Sequence, residues 1–114
     1  MDALDCIMTR RSIRRYTDAP ADPAQIETIL RAAMAAPSAG NQQPWRFVVL
    51  TERERLDAAA ETTPYGKMLH EASFAIVVCA DTRELKHDGM WQQDCSGAVE
   101  NALLAAHALG LGGV

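Results

Sequence analysis

The sequence predicts a layered domain that mixes helices and strands. Three observations predict it. Apolar residues recur at helical spacing, most clearly at Ile26, Ile29, Leu30, Ala33 and Met34. Two short runs rich in β-branched residues, "RFVVL" at 46–50 and "FAIVVCA" at 74–80, read as strands. Helical and strand segments alternate loosely along 114 residues with no internal repeat and no linker, so a single domain over 1–114 is expected.

Taken in order, "DALDCIMTRR" spaces Leu4, Ile7 and Met8 as the apolar stripe of a short amphipathic helix. "DAPADP" breaks the chain, and a second helix starts there. Asp22 is its N-cap, Pro23 fits the first position, and Gln25 completes a capping-box pattern. It should stop near Ala36, because Pro37 disfavours helical geometry in the residue before it. "PSAGNQQPW" is a loop by composition, with Trp45 turned into the core. After the first strand, Thr51 and Glu54 form a second capping box for a helix through Ala60. A short helical piece follows Pro64, then the buried strand Phe74–Ala80, then the polar connector "DTRELKHDG". A long helix runs from about Met90 to Leu109, with Gly110 as its C-terminal stop. Its small residues Ala98, Ala102, Ala105 and Ala106 let another helix approach closely, in a core or a subunit interface.

The end, "LGLGGV", reads as a helix stop followed by the first residue of a strand. Two convincing strands make a poor sheet, so the domain is expected to be cut short or completed by another chain.

Composition narrows the classes of function. The net charge of −4 and an aromatic content of 5% argue against nucleic acid as a partner. The longest apolar run is strand length, too short to span a bilayer. The N-terminus "MDALDCIM" is acidic where a secretory leader would be basic. Cys6, Cys79 and Cys95 lack metal-ligand spacing and read as core or near-core fillers in a reducing compartment. A cytoplasmic protein is expected.

Against that acidic background, "RRSIRRY" packs four arginines into residues 10–16. They suit the C-terminal end of the first helix, whose dipole favours cations. Taken alone the cluster is open to four readings: a solvated turn, a nucleic-acid contact, a patch for an acidic protein, or a site for a small phosphorylated ligand. For the last, guanidinium forks bind phosphate oxygens in pairs, and Ser12 can add a hydrogen bond. The second loop adds weight to it. Its small residues let a flat ligand lie against backbone, and Asn41, Gln42 and Gln43 can both donate and accept.

Together "RRSIRRY", "APSAGNQQPWRFVVL", "KML" and "DCSGAVENALLAAHALGLGGV" resemble the FMN-dependent nitroreductase family, in particular its short members. The resemblance covers essentially the whole chain. It implies an α+β fold, a mixed sheet flanked by helices, in a homodimer with two FMN molecules at the subunit interface. It also implies that Arg10 and Ser12 hold the FMN phosphate, that Arg11 contributes from the same motif, and that Arg14 approaches the ribityl chain and pyrimidine edge. Lys67 matches a lysine near flavin N1 and O2, where a cation favours the reduced ring; an exposed helix lysine is the plainer alternative. Pro37, Ser38, Ala39 and Asn41 resemble the loop that one subunit presents to its partner's flavin, and Gln43 would help to hold it. The long helix matches the family's central interface helix. His107, late in that helix, is given a packing or surface role.

The implied activity passes hydride from NADH or NADPH through flavin N5 to an acceptor such as a nitroaromatic or quinone, in ping-pong order. No side chain need act as nucleophile or base, and the sequence offers no dyad, metal cluster or GxGxxG. Family domains continue past "GLGGV", so the usual C-terminal part is expected to be missing. A non-catalytic flavin-binding or dimerisation module, an inactive fragment, and a specialised family chemistry are the alternatives.

Overall fold

A computed structural model of the protein describes residues 1–114. The order of elements is α1 (Ala3–Thr9), α2 (Pro23–Met34), β1 (Trp45–Leu50), α3 (Arg53–Ala60), β2 (Ala75–Ala80) and α4 (Trp91–Ala108). Short 3-10 turns lie at Ala39–Asn41, Lys67–His70 and Asp88–Met90. The α+β expectation holds. β1 and β2 pair antiparallel, from Trp45 opposite Ala80 to Leu50 opposite Ala75. The parallel sense occurs only as an isolated bridge between Ser12 and Gly113, so the sheet within this chain is a two-stranded antiparallel pair whose strands are joined through α3.

The core lies where α2, α4 and the inner face of the sheet meet. Trp45 is buried among Ala33, Ala36 and Ala98, with Phe47, Cys95 and Ala102 packed around them. The alanines let the two helices close on the indole. Truncating an aromatic side chain at such a position costs about 3–5 kcal/mol. Leu56 and Ala60 anchor α3 in the same way.

Two helix signals act as expected. Asp22 Oδ1 accepts from the Ala24 N–H at 2.9 Å, with Pro23 in the first turn. Gly110, at φ 81°, follows α4, and the N–H groups of Gly110 and Leu111 bond back to His107 O (3.0 Å) and Ala106 O (2.9 Å). That pair of bonds is a Schellman motif, and it requires the left-handed backbone glycine adopts without strain.

Four expectations are corrected. Gln25 makes no return bond, so Asp22 caps α2 alone. The Thr51–Glu54 box does not form; α3 begins at Arg53 behind Glu52 with no side-chain cap. β2 is covered on one face only, leaving Val77 42% exposed beside Val48 at 49%. Cys79 lies on that open face and is exposed, unlike the buried Cys6 and half-buried Cys95. The cause of the last two is the same. α4 covers one side of the sheet, and nothing in this chain covers the other.

The first helix also departs from its pattern. Its buried residue is Cys6, whereas Leu4, Ile7 and Met8 are exposed. No helix is long and apolar enough to cross a membrane.

Candidate functional site

The arginine segment leaves α1 at Arg10, where the backbone turns extended. Arg10 is the most covered of the cluster, its Nε 3.8 Å from Glu100 Oε1 on α4. Arg11 donates Nη1 to Arg10 O (2.9 Å) and Met8 O (3.3 Å), so its charge sits on the carbonyl end of α1. Ser12 bridges to Gly113, and the Ile13 N–H bonds Gly113 O at 2.9 Å. The Ser12 hydroxyl has no protein partner. Arg14 has no ion pair; its charge pulls the Tyr16 phenol down, against burial, which pushes it up more strongly. Arg15 pairs with Glu71 at 3.3 Å, and Glu71 also accepts from the Tyr16 N–H. These bonds, the Tyr16 N–H first, hold the Glu71 carboxyl below the usual range.

Glu71 matters because it follows the 3-10 turn that begins at Lys67. Lys67 is exposed and unpaired. Its turn is tied to α3 by Arg53 and His70. Arg53 donates to Leu69 O, to Ala72 O at 3.0 Å and to Asp57 at 3.0 Å. His70 places Nδ1 2.9 Å from Asp57 Oδ1 and Nε2 2.9 Å from Glu61 Oε1. Through Glu71, the end of Lys67's turn meets Arg15 and Tyr16.

The loop at 37–43 stands elsewhere. Pro37 and Asn41 are exposed, while Ser38 and Ala39 are half-buried. The backbone is left-handed at Gly40 (φ 55°), Asn41 (56°) and Gln43 (47°). A Cβ on Gly40 would lie 2.5 Å from His87 Nε2, so this position suits glycine on two counts. Ser38 Oγ accepts from the Gln43 N–H at 3.0 Å, and Gln43 Nε2 donates to Asn41 Oδ1 at 2.9 Å. The whole loop hangs on buried Asp94, in the first turn of α4. Asp94 Oδ1 accepts from the Ala39 N–H and Oδ2 from Gln42 Nε2, both at 2.8 Å. Gln42 also exchanges bonds with the backbone of His87 at 3.0 and 3.1 Å.

The arginine segment instead meets the far end of α4. Between them lies a pocket of about 150 Å³, lined by Arg10, Arg11, Ile13, Leu103 and His107 among others. Asp94 and His107 are separated by roughly 20 Å of helix at 1.5 Å per residue. Within one chain, then, Arg10 and Ser12 meet the C-terminal end of α4, and Pro37, Ser38, Ala39 and Asn41 lie by its first turn.

Comparison with known proteins identifies the family and the fold. The family model described as "Nitroreductase family" matches residues 7–67, more than half of the chain and including both the arginine segment and the loop. The chain belongs to the nitroreductase family. Among its relatives, an Archaeoglobus fulgidus protein named "Putative NADH dehydrogenase/NAD(P)H nitroreductase" is 54% identical over 114 residues, covering 99% of this chain and 66% of its own length. A crystal structure of a "Putative NADH Oxidase" from Clostridium acetobutylicum superposes with a TM-score of 0.93 at 49% identity, covering 95% of this chain and 65% of that one. A Desulfovibrio desulfuricans structure described as a putative nitroreductase in complex with FMN has a TM-score of 0.89 at 42% identity, covering 96% of this chain and 64% of that one. The chain therefore spans just under two thirds of the length of each.

Asp94, Glu71 and the Arg53–His70 tie are the site-building residues that the sequence did not single out. The partners of Asp94 lie 55 and 52 positions away, so no local pattern marks it.

Proposed function

We propose that this chain is the FMN-binding part of an NAD(P)H-dependent flavin oxidoreductase that works as a homodimer. The observation that carries the reading is a set of uncommitted donors in the arginine segment and on the turn that Glu71 links to it. The Ser12 hydroxyl, Arg14 and Lys67 have no protein partner, and Arg10 is held only loosely by Glu100. That set suits a ligand with an anionic phosphate at one end and an electron-accepting ring at the other. The FMN in the related Desulfovibrio structure has this chemistry.

In this reading Arg10 and Ser12 hold the phosphate. Arg11 keeps the α1 terminus in shape and supports them with its charge. Arg14 and Lys67 face the ribityl chain and the pyrimidine edge, where a cation favours negative charge on the ring. Pro37, Ser38, Ala39 and Asn41, too far along α4 to join their own chain's arginines, serve the partner's site. FMN, when bound, supplies hydride transfer from NADH or NADPH to a small acceptor such as a nitroaromatic or quinone, in ping-pong alternation. The chain's own residues then need only bind, orient and polarise.

Titration with FMN tests the assignment. Arg10→Ala and Ser12→Ala are each expected to weaken binding, Arg10→Ala by roughly ten- to a hundredfold, the scale of a charge-assisted hydrogen bond. Unchanged affinity in both variants would remove the phosphate assignment.

A further inference from the structure

His107 makes a contact whose direction can be worked out. The Thr9 hydroxyl donates its single proton to Asp5 O at 2.5 Å, a bond back to the preceding helical turn. His107 Nε2 lies 2.9 Å from the same oxygen. With its proton already spent, Thr9 Oγ1 can only accept, so His107 Nε2 carries the hydrogen and donates it. This bond joins the last turn of α1 to the last turn of α4. A second tie lies just beyond, where the Ile13 N–H bonds Gly113 O at 2.9 Å. Between Thr9 and Ile13 stand only Arg10, Arg11 and Ser12. The thiol of buried Cys6, 3.1 Å from Leu104 O, fixes the same helix pair one turn earlier.

We propose that His107 is a positioning residue for phosphate-monoester binding. Its bond to Thr9 and the Gly113 bridge bracket Arg10–Ser12, so that the donors of Arg10 and Ser12 converge on one anion. The inference rests on the flavin reading above. It goes beyond it by giving α4 a role in setting the ligand's phosphate end rather than its ring.

The test compares FMN with riboflavin, which differs by the phosphate alone, in fluorescence titrations of the full chain. His107→Phe keeps a planar ring but loses the donor. It is expected to weaken FMN about five- to tenfold, the scale of one lost hydrogen bond, and to leave riboflavin unchanged. His107→Gln, which keeps a donor, restores FMN binding. Thr9→Val reproduces the loss, and combining it with His107→Phe adds little further. Equal losses for both ligands, or unchanged FMN affinity, would overturn the proposal. Amide exchange in the ligand-free chain gives an independent readout. His107→Phe should speed exchange at Arg10 and Ile13 while α2 stays protected. If the unaltered chain binds neither flavin, the functional reading fails. The bracket then stands or falls on the exchange result, and unaltered rates at Arg10 and Ile13 would reject it.

Discussion

Asp94 uses both carboxylate oxygens to hold the loop after α2, and it is almost fully buried. Hydrogen bonds to a charged group contribute about 1.5–3 kcal/mol each, and a donor left buried without a partner costs a comparable amount. Asp94→Ala should therefore destabilise the chain by about 3 kcal/mol and speed amide exchange at Ala39. Asp94→Asn should do nearly as much, because its amide would meet a donor at either Ala39 or Gln42. Thermal unfolding and exchange at Ala39 check this; wild-type values for both variants would show that the loop does not depend on Asp94. Residues that act through local chemistry were legible in the sequence. Arg10, Ser12 and Arg14 stand together, and Trp45 follows a loop into a strand. Asp94 and His107 were not legible as parts of a site, since each works on a segment far away in sequence.

Among the elements, the 3-10 turn Lys67–His70 is too short to hold itself and depends on α3. Each ring nitrogen of His70 faces a carboxylate oxygen, which can only accept, so the bound imidazole is doubly protonated. The bond to Asp57 first, then that to Glu61, raises its pKa above the ordinary value. The same contact lowers that of Asp57. A raised folded-state pKa means that this stabilisation is complete below the ordinary imidazole value of about 6.5 and is lost as pH rises through the raised value. The turn should loosen as pH rises through that interval, and His70→Gln should abolish that part of the pH dependence. NMR titration of the His70 ring checks the direction. A midpoint at or below the ordinary value would mean that the tie to α3 is not made. The stop of α4 proved more readable than the start of α3. Gly110 leaves α4 one geometry for its exit, whereas Thr51 and Glu52 both permit a start for α3, and packing of Leu56 and Ala60 chooses the later one.

For the molecule as a whole, only 13 of the 114 residues are buried, so much apolar surface is left open. Leu4, Ile7 and Met8 on α1, Val48 and Val77 on the sheet and Val99 on α4 all face outward. The sequence patterns marked the α1 stripe and the two strands as apolar, but periodicity cannot say whether a face packs within its own chain or against another. Exposed apolar faces of this kind are where partners pack. In the proposed homodimer a second copy covers part of them and brings its 37–41 loop to the arginine segment. The visible absorption spectrum tests this most directly, taken after FMN addition and desalting and again after anaerobic NADH or NADPH. Flavin retained by the chain and bleached by the nucleotide is the expected result. Flavin retained but left oxidised would contradict the reductase reading, and flavin lost on desalting would contradict the binding site itself.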